Sequence, residues 1–127
     1  MSDELVDMKS YETFNLREVT SRFPPDPDSA ARHRAEILVK SDTLRVVLVT
    51  ALSGGKLHDH SAPGPITIHV IDGSFAMTVD GDRQVVSADE VVVMSPGVSH
   101  EIECIDDGSF LLTIAHLSRV PDPGGDN

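Results

Sequence analysis

The sequence predicts an all-β domain closed as a sandwich or barrel, and three observations point that way. Short β-branched runs recur from Ala35 onward, among them AEILVK, TLRVVLVTAL, PITIHVI and SFLLTIAHL. Turn-forming clusters such as SGGK, DGD and SPG divide them at the spacing of a strand-rich fold. Within one run, Phe75, Met77 and Val79 alternate with Ala76 and Thr78, the period-two pattern of a strand with one buried face.

Along the chain, residues Met1–Lys9 are polar and read as a loose arm, and YETFNL (Tyr11–Leu16) reads as a short edge strand. The following SRFPPDPDSAARHR is loop by proline chemistry, because Pro24, Pro25 and Pro27 fix φ and remove backbone donors. A short helical turn near Ala30–His33 is compatible with it. From Ala35 the runs AEILVK, TLRVVLVTAL, PITIHVI, SFAMTV, RQVV, VVVM, VSHEIECI and SFLLTIAHL amount to seven or eight strands. Asp-Gly pairs at Asp72-Gly73, Asp80-Gly81 and Asp107-Gly108 read as hairpin turns. The tail VPDPGGDN reads as disordered. The expected organisation is an arm and proline-rich lead over 1–34, a barrel over 35–117 and a tail over 118–127.

At 127 residues the chain suits one domain with one core. A formal net charge of -11, with the acidic residues spread along the chain, argues against nucleic acid and against an anionic membrane face as partners. Cys104 is the only cysteine, so no internal disulfide forms. The start MSDELVDMKS has neither a basic beginning nor an apolar run. No stretch approaches the roughly 20 apolar residues of a membrane span, and a cytoplasmic location is the expectation.

The chemistry-bearing stretch is GGKLHDHSAPGPITIHVIDG, from Gly54 to Gly73. In an extended strand, side chains at i and i+2 leave the same face, so His58 and His60 form a bidentate claw. Two such imidazoles hold a divalent transition metal once a further ligand arrives from another strand. SADEVVVMSPGVSHEIE, Ser87–Glu103, offers that ligand: a strand runs into a turn at Pro96-Gly97, and His100 follows three residues beyond the glycine.

At these residues the chain resembles the cupins, small β-barrels of jelly-roll type with two histidine motifs. Gly54 or Gly55, His58, His60 and Gly73 match the first motif, and Gly97 and His100 match the second. The resemblance spans residues 35–117 and implies an antiparallel double-stranded β-helix. It also departs from the family pattern. Where the family carries its metal-binding glutamate, this chain has Ile66 counting back from Gly73, or Gly64 or Pro65 counting forward from His60. In the second motif Asp89 stands in place of a glycine and Ser95 in place of a proline. His69 is a candidate substitute ligand. Strict alternation from Ile66 turns it outward, whereas a bulge at Pro63-Gly64-Pro65 would turn it into the barrel; the sequence admits both.

The resemblance implies a divalent metal (Zn, Ni, Fe, Cu or Mn) on His58, His60 and His100, to which His69 is the candidate addition, and a small-molecule ligand in the barrel. It further implies a homodimer through edge strands and, by fold-level analogy, a dioxygenase-type oxidoreductase. The alternatives are a non-catalytic binding or sensing module and a structural barrel with a vestigial site. No Ser-His-Asp order, phosphate-cradling loop or carboxylate pair stands out. Cys104 reads as a small buried hydrophobe. His33 and His116 read as surface or hydrogen-bonded residues, Asp59 as outward-facing, and Asp89 and Glu90 as turn residues.

Overall fold

A computed structural model describes residues 10–115, with the backbone alone for residues 58–60. Seven strands follow one short helix: α1 (Leu16–Arg22), β1 (His33–Lys40), β2 (Leu44–Ala51), β3 (Lys56–His60), β4 (Ile66–Val79), β5 (Asp82–Ser87), β6 (Val91–Met94) and β7 (His100–Ala115). Every pairing is antiparallel. The 14-residue β4 and 16-residue β7 pair along their length and belong to two sheets at once. The start of β4 and the end of β7 lie between β6 and the β2-β1 pair. The end of β4 and the start of β7 lie between β5 and β3.

Glycine makes the crossover between sheets possible. Register shifts along β4 and β7 are confined to the stretch from Val70 to Phe75. There Gly73 adopts φ +76, and a Cβ on it would stand 2.5 Å from the Asp106 carbonyl oxygen. A Cβ on Gly108 would stand 2.9 Å from the Gly73 Cα, so the two glycines face each other where both strands bend. Asp72-Gly73 and Asp107-Gly108 are therefore not the hairpin turns expected from sequence; they lie inside β4 and β7. Asp80-Gly81 is the hairpin, with φ of +53 and +79 joining β4 to β5.

The core fills the space between the sheets. Ile66, Ile68 and Val70 oppose Ile114, Leu112 and Phe110, and beyond them Val47 and Val49 of β2 continue the same rows. Phe75, Met77, Ile102 and Cys104 belong to the same buried cluster on the other sheet. Phe75 meets Phe110 edge to face at 5.0 Å and 87°, which adds about 1 kcal/mol beyond burial. The alternation of Phe75, Met77 and Val79 is a core face, as the pattern suggested: the first two are buried and Val79 packs against the cluster.

The N-terminal lead departs from the expected edge strand over Tyr11–Leu16. Instead Asn15 caps α1, its side chain accepting from the Glu18 backbone N–H at 2.9 Å. Val19 is buried, the Thr50 hydroxyl donates to the Phe23 carbonyl at 2.7 Å, and the Arg34 guanidinium stacks 4.9 Å over the Phe23 ring. The lead thus lies against the outer face of β2, where Thr50 is buried. One turn closes ahead of β1, with the Arg32 N–H donating to the Ser29 carbonyl. The polar arm Met1–Lys9, His116 and the tail lie outside the described residues.

Candidate functional site

A cavity of about 120 Å³ lies between the sheets, at the ends where β4 and β7 begin. Ile66, Ile68, Leu112 and Ile114 wall one side, Leu57 and Ile102 the other, and His100 and Ser61 are the polar groups on its lining. A cavity of about 150 Å³ lined by aliphatic and aromatic side chains accepts benzene, which sets the scale of what enters here.

His100 is placed by a turn and by a cross-tie. Pro96-Gly97 forms the turn, with Gly97 at φ +77 and the Val98 N–H donating to the Ser95 carbonyl. The Gly97 N–H donates to the Ala62 carbonyl at 2.8 Å, so this turn is pinned to the segment that follows β3. His100 is 6% exposed, and its Nδ1 lies 3.3 Å from the Val98 carbonyl oxygen. A carbonyl only accepts, so that contact puts a proton on Nδ1. A neutral ring so held ligates through Nε2.

The first histidine pair sits on the neighbouring strand. Leu57 pairs with Ile102 and His60 with His100, so three steps along β3 match two along β7. This one-residue bulge resets the alternation, and Leu57 and His60 both oppose residues that line the cavity. Backbone bonds from Gly54 N–H to the Cys104 carbonyl and from Cys104 N–H to the Gly55 carbonyl hold the entry of β3 against β7. Gly54 takes φ +90, and a Cβ on Gly55 would stand 2.7 Å from the Arg32 carbonyl oxygen, so both glycines of the motif have a steric reason. For His58, Asp59 and His60 themselves, the side chains lie outside the description.

His69 is not brought to the cavity. Pairing of β4 runs unbroken from Ile66 to His69 with β6 and from Ile66 to Val70 with β7, so Pro63-Gly64-Pro65 introduces no shift within the strand. Ile66, Ile68 and Val70 are buried while Thr67 and His69 are half-buried on the opposite face. Ile66, the position reached by counting back from Gly73 for the family's carboxylate, is 4% exposed and lines the cavity with His100. Among the described residues no group of three or more His, Cys, Asp or Glu converges as a metal site.

The remaining sequence candidates fall into place. Asp89 adopts φ +73, so the aspartate takes the left-handed conformation a glycine would supply, and the Glu90 carboxylate accepts from the Ser87 N–H. Cys104 is buried and its Sγ donates to the Asp106 carbonyl at 3.1 Å. Burial, then the nearby Asp107 charge, pushes its pKa up to about 11, so it is a neutral core thiol. His33 contacts the Ala31 carbonyl through Nδ1 at 3.1 Å, away from the cavity lining. Leu57 and Ser61 went unnoticed in the sequence, although both flank the His-Asp-His run. Among the described residues no helix is long and apolar enough to cross a membrane.

Comparison with known proteins agrees with this architecture. The family model described as a cupin domain matches residues 47–115, more than half of the chain. Curated proteins offer no match by sequence. A cupin superfamily protein from Desulfitobacterium hafniense is similar at a TM-score of 0.74 and 14% identity, covering 87% of this chain and 99% of its own. A conserved Streptococcus pyogenes protein of unknown function is similar at 0.72 and 18% identity, covering 90% and 97%. The DMSP lyase DddQ from Ruegeria pomeroyi is similar at 0.64 and 16% identity, covering 75% and 52%. At such identities these likenesses speak to the fold alone, but the two motif turns, the doubly shared strands and the family match converge: this chain belongs to the cupin family.

Proposed function

We propose that this chain is a metal-binding cupin that takes a small organic ligand against a site built by His58, His60 and His100. The observation that supports it is the register pairing His60 with His100, whose side chain is buried on the cavity wall. Directly opposed residues of an antiparallel pair share a face, as do residues two apart, so this wall is where three imidazoles would meet. The reading leaves His69 out of the site, and what supports this is the unshifted register of β4 from Ile66 to Val70.

The donor set fits a borderline divalent ion such as zinc, nickel or copper better than manganese, because all three ligands are neutral nitrogen donors. A bound ion would act as a Lewis acid with open positions for ligand or water. The chain's own residues do the rest. The Val98 carbonyl holds the His100 ring in one tautomer and orientation. The aliphatic walls exclude water and strengthen every electrostatic contact inside, and Ser61 supplies the second polar contact at the rim. Turnover of dioxygenase type is the catalytic form of this reading. The non-catalytic form, a ligand-binding or sensing cupin, draws support from a lining whose polar groups are His100 and Ser61. A homodimer through the edge strand β1, whose Ile37 is exposed, completes the proposal.

Metal analysis of protein purified without chelators tests it. About one transition metal per chain is expected, lost in His60→Ala and His100→Ala and kept in His69→Ala. Less than about a tenth of a metal per chain, unchanged by added zinc or nickel, would overturn the reading.

A further inference from the structure

On the reading that this cavity is the ligand site, and whether or not a metal is bound, we infer that its ligand is a short-chain amphiphile that enters tail first. The tail is a hydrocarbon of about four to six carbons and carries one polar head. Leu112 sets how far that tail reaches.

The cavity is graded from a polar mouth to an apolar floor. Ser61 lines it and is exposed, so that end meets solvent. His100 stands at the same end, because it pairs with His60, the residue before Ser61. From there the lining deepens along three rows, His100 to Ile102, Ile66 to Ile68, and Ile114 through Leu112 to Phe110. Ile114 and Leu112 are half-buried and Phe110 is fully buried, as is Ile68 opposite Leu112. All three rows run toward the bend at Gly73 and Gly108, and the edge-to-face contact of Phe110 with Phe75 closes the floor.

Such a gradient selects by both ends of a ligand. Each methylene moved from water onto the aliphatic walls tightens binding roughly fourfold until the floor is reached. A volume of about 120 Å³ limits the tail to about six carbons, the size of benzene. A hydroxyl carried to the floor meets the side chains of Ile68, Leu112 and Phe110, which have no hydrogen-bonding atom, while the backbone there is engaged in the pairing of β4 and β2 with β7. Burying it without a partner costs more than its carbon gains. Sugars and other polyols are therefore poor occupants, and a molecule with a single polar end leaves that end beside His100 and Ser61.

The test is a methyl-detected NMR titration of the full chain, stripped with chelator, using the straight-chain primary alcohols from propanol to octanol and the pentanediol with a hydroxyl at each end. Pentanol is expected to bind at least about tenfold more tightly than propanol and at least about tenfold more tightly than the diol, with shifts centred on Ile68, Ile102 and Leu112. Leu112→Ala should move the best-bound alcohol to a chain longer by about two carbons. Should Leu112→Ala not fold, Leu112→Val is read in its place, with an expected move of about one carbon. A diol that binds as tightly as pentanol, an affinity that does not rise from propanol to pentanol, or an unmoved optimum in the folded Leu112 variant overturns the inference while leaving a ligand cavity in place. Binding of none of the probes overturns the inference together with the cavity's role, and the metal analysis above, made on unstripped protein, judges the histidine site separately.

Discussion

Ile66→Glu places a carboxylate at one of the three positions, with Gly64 and Pro65, where the motif spacing sets the family's glutamate, and its cost and its rescue can both be worked from the structure. Ile66 is 4% exposed, so replacing it forfeits about 2 kcal/mol of hydrophobic burial. An uncompensated carboxylate in an aliphatic wall adds a few kcal/mol more, even after its pKa rises to keep it neutral. A total near 4–5 kcal/mol is a large part of the stability of a small domain and corresponds to a melting point lower by about 15–20 °C. If His58, His60 and His100 hold a metal, the new carboxylate faces it. Metal at about a hundredfold excess over its dissociation constant then restores about 2.7 kcal/mol, or roughly 10 °C. Ile68→Glu, two residues further along the same wall and fully buried, should be destabilised without rescue. Differential scanning calorimetry with manganese, nickel or zinc reads all three proteins. Equal metal-induced shifts in wild type, Ile66→Glu and Ile68→Glu would refute the placement of a metal beside Ile66.

Gly73→Ala and Gly81→Ala share a left-handed φ but differ in surroundings, because a Cβ at Gly81 meets nothing within 4 Å whereas one at Gly73 strikes the Asp106 carbonyl. Urea unfolding should show a loss of about 1 kcal/mol for Gly81→Ala and more than about 3 kcal/mol for Gly73→Ala; similar losses would mean that conformation alone matters. The Cys104 thiol, with its pKa raised from 9.0 to about 11, binds its proton more tightly in the folded chain. Its contribution is therefore complete below pH 9 and is lost as pH rises toward 11. The stability of wild type relative to Cys104→Ala should fall by about 2 kcal/mol across that window, and a pH-independent difference would contradict it. Native protein at pH 8 should likewise resist a thiol reagent that reacts at once after denaturation. Thr50→Val removes the 2.7 Å bond to the Phe23 carbonyl and should cost about 1–2 kcal/mol by thermal melting, while an unchanged melting point would mean that water satisfies that carbonyl equally well.

The all-β class, the hairpin at Asp80-Gly81 and the core alternation of Phe75 and Met77 were legible because each depends on neighbours within a few residues. The bends at Gly73 and Gly108 were not. A hairpin and a bulged corner make the same local demand, an Asp-Gly pair tolerant of positive φ or close approach, and only pairing partners far along the chain tell them apart. Helix α1 was hidden by its aromatic prelude, although Asn15 three residues ahead of Glu18 is a capping signal that names it. For His69, alternation and a bulge gave opposite answers from the same residues, and only the long-range register, unshifted between Ile66 and Val70, sets it on the face opposite Ile66 and Ile68. The His-x-His and Pro-Gly-x-x-His spacings led to the family, which the match over residues 47–115 establishes.

β7 supplies residues to both walls of the cavity, and it bends between them where Gly108 meets Gly73 of β4. The spacing of those walls therefore depends on a bend that lies outside the cavity lining, and a bulkier residue at Gly73 or Gly108 should alter the cavity at His100 and Ile114 without touching it.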